Sequence, residues 1–239
     1  MRMFSKFPKA LSLLVLPLAL LTACAGPPSI QTGENAETIM GGLAKVDNSR
    51  ADLAYVDPDA DYARYTKVHI ATLDVGNVEI IQPNSGSSMV NRYKREWELT
   101  DSDKEKLQSA FREAMLKAFS DGGKFEITDQ GGSDVLKLEA MITRIAPSGP
   151  KDDQMSPSTA RARVFTEGGG SMSLALLVAD GDSGEPLAVI KDTRSSVNSN
   201  MWGINNSVSN MAEVRRNFNA WATEIYAGLV SLQARVADK

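Results

Sequence analysis

The sequence predicts an α+β domain, a mostly antiparallel sheet with two amphipathic helices packed on one face, in the order β-α-β-β-β-β-α. Three observations lead there. Two segments, beginning near Thr100 and Asn210, hold a 3.6-residue apolar period. The stretch between them is dominated by alternating and β-branched runs. The helices bracket those strands instead of alternating with them, which favours α+β over a doubly wound parallel sheet.

The elements follow in order. Residues 66–75, Thr-Lys-Val-His-Ile-Ala-Thr-Leu-Asp-Val, read as a first strand, with His69, Ala71, Leu73 and Val75 on one face. A loop with Pro83, Asn84 and Gly86 leads to Thr100-Asp-Ser-Asp103, a capping-box start. Leu107, Phe111, Ala114, Met115, Ala118 and Phe119 then form a helical stripe that Gly122-Gly123 stops. Phe125–Thr128 is a short strand, and 135–146 a long one with Leu136, Leu138, Ala140 and Ile142 on one side. After a polar loop, Ala160–Thr166 and Ser171–Ala179 are strands. Leu187–Thr193 pairs with the second of them across a Gly181-Asp-Ser-Gly184 turn. A polar, Asn-rich loop at 197–209 precedes the last helix. Val214, Phe218, Trp221, Ile225, Leu229, Leu232 and Val236 make its continuous apolar face.

Composition narrows the function classes. The 239 residues are 42% hydrophobic and 23% charged, an ordinary globular balance. A net charge of −4 argues against a nucleic-acid binder. One cysteine and one histidine exclude an internal disulfide, a cysteine-held metal and most acid–base relays. No metal, no cofactor and no nucleic-acid partner is expected.

The N-terminus carries the clearest signal. Arg2, Lys6 and Lys9 precede an apolar run over 10–21 that contains Pro17. That run is shorter than the ~20 residues a membrane-spanning helix needs, so residues 1–23 read as a cleaved signal peptide. The sequence Leu21-Thr22-Ala23-Cys24 resembles the lipobox of bacterial lipoproteins, and the single cysteine of the chain stands where a lipobox requires it. The resemblance implies a diacylglyceryl thioether on Cys24 and acylation of the freed amine, so membrane lipid is the first expected partner. Two or three acyl chains anchor stably where one does not. Ala25, which is not an aspartate, resembles an outer-membrane address, with the body facing the periplasm. Cleavage removes three positive charges and no negative ones, leaving an acidic body.

Residues 24–52 contain Gly33, Gly41, Gly42 and Asn48 and keep no period for long. They read as a flexible tether, which as a Gly-rich coil would span roughly 25–30 Å. A single α+β domain over 53–239 follows.

Candidate chemistry is sparse. Gly181-Asp-Ser-Gly-Glu-Pro186 resembles the nucleophile segment of trypsin-like proteases, and His69, Asp101 and Ser183 repeat that family's triad order. Glu185 replaces the family's second glycine, however, and a helix follows Asp101, so a hairpin turn is the better reading. His69 reads as a satisfied strand residue. Asp57, Asp59 and Asp61 mimic the start of a calcium loop, but Tyr62 and Val68 stand where that loop needs Gly and Glu. Arg92, Tyr93, Lys94, Arg95 and Trp97 mix cations with aromatics, and Trp202 stands alone in a polar loop. These six are the candidate interaction surface. The plainer reading of the first five is a solvated loop, and of Trp202 a ring folded back on the sheet.

Tyr55-Val-Asp-Pro, Asp61-Tyr-Ala-Arg-Tyr-Thr-Lys-Val, Leu99-Thr-Asp-Ser-Asp and Asp182-Ser-Gly-Glu-Pro-Leu-Ala resemble the Gram-negative lipoprotein family catalogued as domain of unknown function 3313. The resemblance runs from about residue 40 to the C-terminus. It implies an outer-membrane lipoprotein with no assigned reaction, cofactor or catalytic residue. The expectation is a non-enzymatic, lipid-anchored periplasmic binding or scaffolding module with an envelope-protein or cell-wall partner. The alternative is an accessory subunit of an envelope machine such as a cell-wall synthase or an ABC-type exporter, and a carboxylate-using hydrolase ranks below both.

Overall fold

The computed structural model describes residues 26–82, 97–147, 165–166, 170–195, 203–204 and 207–237. In chain order the elements are β1 (Ser29–Ile30), β2 (Thr38–Ile39), β3 (Leu43–Asp47), β4 (Leu53–Val56), β5 (Lys67–Ile70), β6 (Glu79–Ile80), α1 (Asp101–Gly122), β7 (Glu126–Ile127), β8 (Val135–Ala146), β9 (Phe165–Thr166), β10 (Ser171–Asp180), β11 (Pro186–Ser195), β12 (Gly203–Ile204) and α2 (Ser207–Ala237). A short 3-10 turn at Tyr62–Arg64 lies between β4 and β5. The fold is α+β, an open, mostly antiparallel sheet covered by two helices.

The main sheet runs β1-β3-β4-β11-β10-β8-β5-β7, with β2 added to β3 and β6 to β8. Its centre is the antiparallel trio β11-β10-β8. The β8 end is parallel, because β5 pairs in parallel with both β7 and β8. Parallel neighbours need a crossover, and α1 makes the one between β5 and β7. The chain after β5 keeps following β8, through a bridge from Asp74 to Met141 and then through β6.

Three features depart from the sequence expectation. Four strands precede β5, so the order is longer than β-α-β-β-β-β-α. The expected tether over 24–52 is also largely structured, since β1, β2 and β3 lie within it and β3 pairs with β4. The reason is local backbone geometry. Met40 (φ 44°), Gly41 (φ 80°) and Gly42 (φ 131°) turn β2 back onto β3, and Asn48 (φ 54°) turns the chain out of β3. Glycine and asparagine tolerate that region best. A third departure concerns His69. Val68 and Ile70 are the buried members of β5, while His69 shares the half-buried face with Lys67. Leu73 and Val75 return to the core because the pairing with β8 shifts by one residue between Ile70 and Asp74.

The helices form as their local signals require. Thr100 accepts from the Asp103 N–H, and the Asp103 carboxylate accepts from the Thr100 N–H, closing the capping box. Gly123 ends α1 in the left-handed conformation at φ 67°. The helices meet through aromatic contacts, Phe111 edge-on to Phe218 at 5.5 Å and Phe119 edge-on to Tyr226 at 5.3 Å. Phe218, Trp221, Ala222, Ile225 and Leu229 of α2 are buried in the same core as α1 and the inner face of β8 and β10.

Candidate functional site

Between α2 and the β1-β3-β4-β11 side of the sheet lies a cavity of about 320 Å³, within the range of small-molecule sites. It exists because its floor is built from small residues. Ala54 on β4 and Ala188 on β11 are both buried and both face it. Val56, Leu174, Val178, Ile225 and Leu229 supply apolar walls, and Pro28, Ile30 and Val46 close the far side. On α2 the lining runs from Trp221 to Arg235, about 21 Å of helix at 1.5 Å per residue.

Gly228 also lines the cavity, in the interior of α2. A Cβ added there meets nothing within 4 Å. An interior helical glycine costs about 1 kcal/mol relative to alanine, and here no close contact requires it. Gly228→Ala is therefore expected to raise unfolding free energy by roughly 0.4–1 kcal/mol, read as a higher urea midpoint at unchanged slope.

A buried polar cluster closes one end of the cavity. The Asp192 carboxylate accepts the Trp221 indole N–H at 2.6 Å, the Arg194 Nε–H at 3.1 Å and the Asp52 backbone N–H at 3.2 Å. Arg194 reaches on to Glu224 at 2.5 Å and lies 5.7 Å from the Trp221 ring centre. Arg194 thus pairs with both acidic residues of the lining, Asp192 and Glu224, and offsets one of their two charges. Arg50 and Arg235 stand at the exposed rim. Neither has a carboxylate within ion-pair distance among the described residues, and Arg235 donates to the Pro28 carbonyl oxygen.

A second polar cluster is structural. Asp180, at the end of β10, is 3% exposed and organises the 181–184 turn. It accepts from the Ser183 N–H at 2.8 Å, the Asp182 N–H at 2.9 Å, the Ser183 hydroxyl at 3.1 Å and the Tyr65 hydroxyl at 2.7 Å, and it pairs with Arg64. Burial alone would raise its pKa. The Ser183 N–H, the Tyr65 hydroxyl and the Asp182 N–H outweigh burial and hold the carboxyl well below the usual range. Burial, then the bond to Asp180, pushes the Tyr65 phenol up to about 12. Ser183 is thereby committed within the turn, donating to Asp180 and accepting from the Glu185 N–H. Asp57 and Asp61 are likewise occupied by the N–H groups of Asp59 and Ala63. Among the described residues no three His, Cys, Asp or Glu side chains are grouped to hold a metal ion, and no helix is long and apolar enough to cross a membrane.

Of the candidate interaction residues, Trp97 is described. It is half-buried, and the Gln82 side-chain amide clasps its backbone, accepting from the N–H at 2.7 Å and donating to the carbonyl at 3.1 Å. Cys24, Arg92, Tyr93, Lys94, Arg95 and Trp202 lie outside the described residues. The cavity residues carry no motif. The local signs of the cavity are a glycine inside an amphipathic helix and alanines at inward strand positions.

The sequence model of a family described as protein of unknown function, DUF3313, matches residues 41–225. No curated protein matches the chain. Among solved structures it is similar to protein XCC0632 from Xanthomonas campestris, a DUF330 protein, at 10% identity and a TM-score of 0.42, covering 76% of this chain and 93% of that one. It is also similar to the PelC dodecamer from Paraburkholderia phytofirmans, at 10% identity and a TM-score of 0.34, covering 70% and 91%. A minor lipoprotein from Acinetobacter baumannii is similar at 10% identity and a TM-score of 0.34, covering 71% and 95%.

Proposed function

The chain belongs to the DUF3313 family, whose description names no reaction, and from that premise we propose that it is a non-enzymatic envelope lipoprotein. On this reading it is anchored in the outer membrane through acylated Cys24, and its α+β body is a periplasmic binding module. The observation that carries this is Leu21-Thr22-Ala23-Cys24, the single cysteine of the chain directly behind a charged and then apolar leader. The binding surface on this reading is the cavity under α2, an apolar site of ligand size with a few polar groups converging on it. A non-enzymatic role is supported by the engagement of Ser183, Asp57 and Asp61 in their own turns.

The anchor is tested by Cys24→Ser. Labelled palmitate is expected to be incorporated by the wild type and lost from the variant, with the protein moving from the outer-membrane fraction to the soluble periplasmic one. A variant that stays in the membrane fraction as tightly as the wild type overturns the reading.

A further inference from the structure

Resting on the anchored reading above, we infer that the cavity under α2 holds a single-chain anionic amphiphile, a fatty acid or lysophospholipid drawn from the membrane that Cys24 enters. Its acyl chain lies along α2, and Arg50 and Arg235 pair with its head.

The shape fits one acyl chain. The lining of α2 from Trp221 to Arg235 spans about 21 Å. One leaflet of hydrocarbon, half of a core ~30 Å thick, is about 15 Å deep. An extended chain therefore fits lengthwise between the helix and the alanine floor at Ala54 and Ala188. The walls beside it are aliphatic, and the polar cluster at the Trp221 end is closed on itself. Asp192 and Glu224 share Arg194, which leaves that end with a net negative charge, so an anionic head is directed away from it to Arg50 and Arg235.

The charge fits an anionic head. In a chain of net charge −4, the exposed charged residues of the lining are two guanidiniums without carboxylate partners among the described residues. Guanidinium is the side chain best shaped to grip carboxylate or phosphate. A bilayer is as apolar as the cavity, so the acyl chain gains little by moving between them. The head group then decides which amphiphile is selected.

The position fits a membrane source. Pro28 lines the cavity and its carbonyl oxygen accepts from Arg235. It follows Cys24 by four residues, so the two Cα atoms are no more than about 14 Å apart. Because β1 begins at Ser29, the long spacer expected from the sequence is absent, and the rim is held close to the head-group layer.

The test uses the full-length chain carrying Cys24→Ser, titrated with the fluorescent fatty acid cis-parinaric acid and read by energy transfer from tryptophan, since Trp221 lines the cavity. Saturable binding of one probe per chain is expected, displaced by hexadecanoate. Ala54→Phe, which fills the floor, is expected to weaken binding by about tenfold or more. Should that variant fail to fold by circular dichroism, Gly228→Phe at the rim serves the same purpose, because its Cβ meets open space. Arg50→Gln with Arg235→Gln is expected to weaken the acid by roughly five- to tenfold and to leave displacement by hexadecanol unchanged. Absence of saturable binding to the folded chain, or wild-type affinity in the filled variant, overturns the proposal. Equal losses for acid and alcohol in the double arginine variant overturn the head-group assignment. The titration is independent of lipidation, so its failure leaves the anchor standing, and failure of the fractionation test leaves the titration interpretable.

Discussion

Trp221→Ala is expected to lower unfolding free energy by about 3–5 kcal/mol, the cost of truncating a large buried aromatic to alanine. Two losses combine. The ring is 3% exposed and packs on Phe218, whose ring centre is 6.0 Å away, so its removal enlarges a cavity already present beneath α2. The indole N–H also donates to Asp192 at 2.6 Å, and its removal leaves a buried carboxylate short of a partner. Trp221→Phe separates the two by keeping most of the apolar contact and removing the donor. It should lose about 1–2 kcal/mol of the total. Thermal unfolding of the Cys24→Ser chain with each substitution checks this. A midpoint shift under about 2 °C for Trp221→Ala would show that the ring is not core, since 1 kcal/mol moves a domain of this size by about 2–4 °C.

Asp180→Ala should cost about 2–4 kcal/mol, chiefly by leaving the buried Tyr65 hydroxyl and the N–H groups of Asp182 and Ser183 without their acceptor. Arg64 contributes less, because its side chain is half-exposed and water replaces the lost partner. The same residue sets an acid limit. Its folded-state pKa lies below the unfolded value, so the folded state binds fewer protons and Asp180 stabilises it above the ordinary aspartate pKa of about 3.9. That contribution fades as pH falls from about 4 towards the folded-state value. The gap in urea midpoint between wild type and Asp180→Asn should be narrower at pH 3 than at pH 7, without closing, because pH 3 is still above the folded-state value. Parallel midpoints at both values would show that the carboxylate charge is not what the turn depends on.

What was legible in the sequence was local. The Thr100–Asp103 box, the Gly123 stop, the alternation along β8 and the stripe of α2 are each decided within one or two turns of chain, and each stands as read. The strands β1 to β4 were not legible as a sheet edge. β1 and β2 have two residues each, too few to show a period, and their turns rest on Met40 and Asn48 at positive φ as well as on glycine. His69 was placed on the wrong face because alternation was carried from Val75 back through the shift in pairing after Ile70. The cavity was invisible for a different reason. It is a gap between β4 and α2, and Ala54 and Leu229, which line it, are far apart in the chain, so no window contains both.

The place of β4 in the sheet also bears on how the protein folds. It is made early in the chain yet lies between β3 and β11, paired through Leu53 with Lys191 and through Val56 with Ala188. Arg235 then closes back on Pro28, across a separation of 207 residues. Such contacts form only after the entropy of closing very large loops has been overcome, which places the domain among slow, millisecond-to-second folders. Until β11 and α2 arrive, the first four strands have no surface to dock on. A chain that acquired its anchor before that moment would wait at the membrane with the β11-facing edge of β4 unpaired and the inner face of these strands uncovered, and that edge is its most aggregation-prone part in that interval.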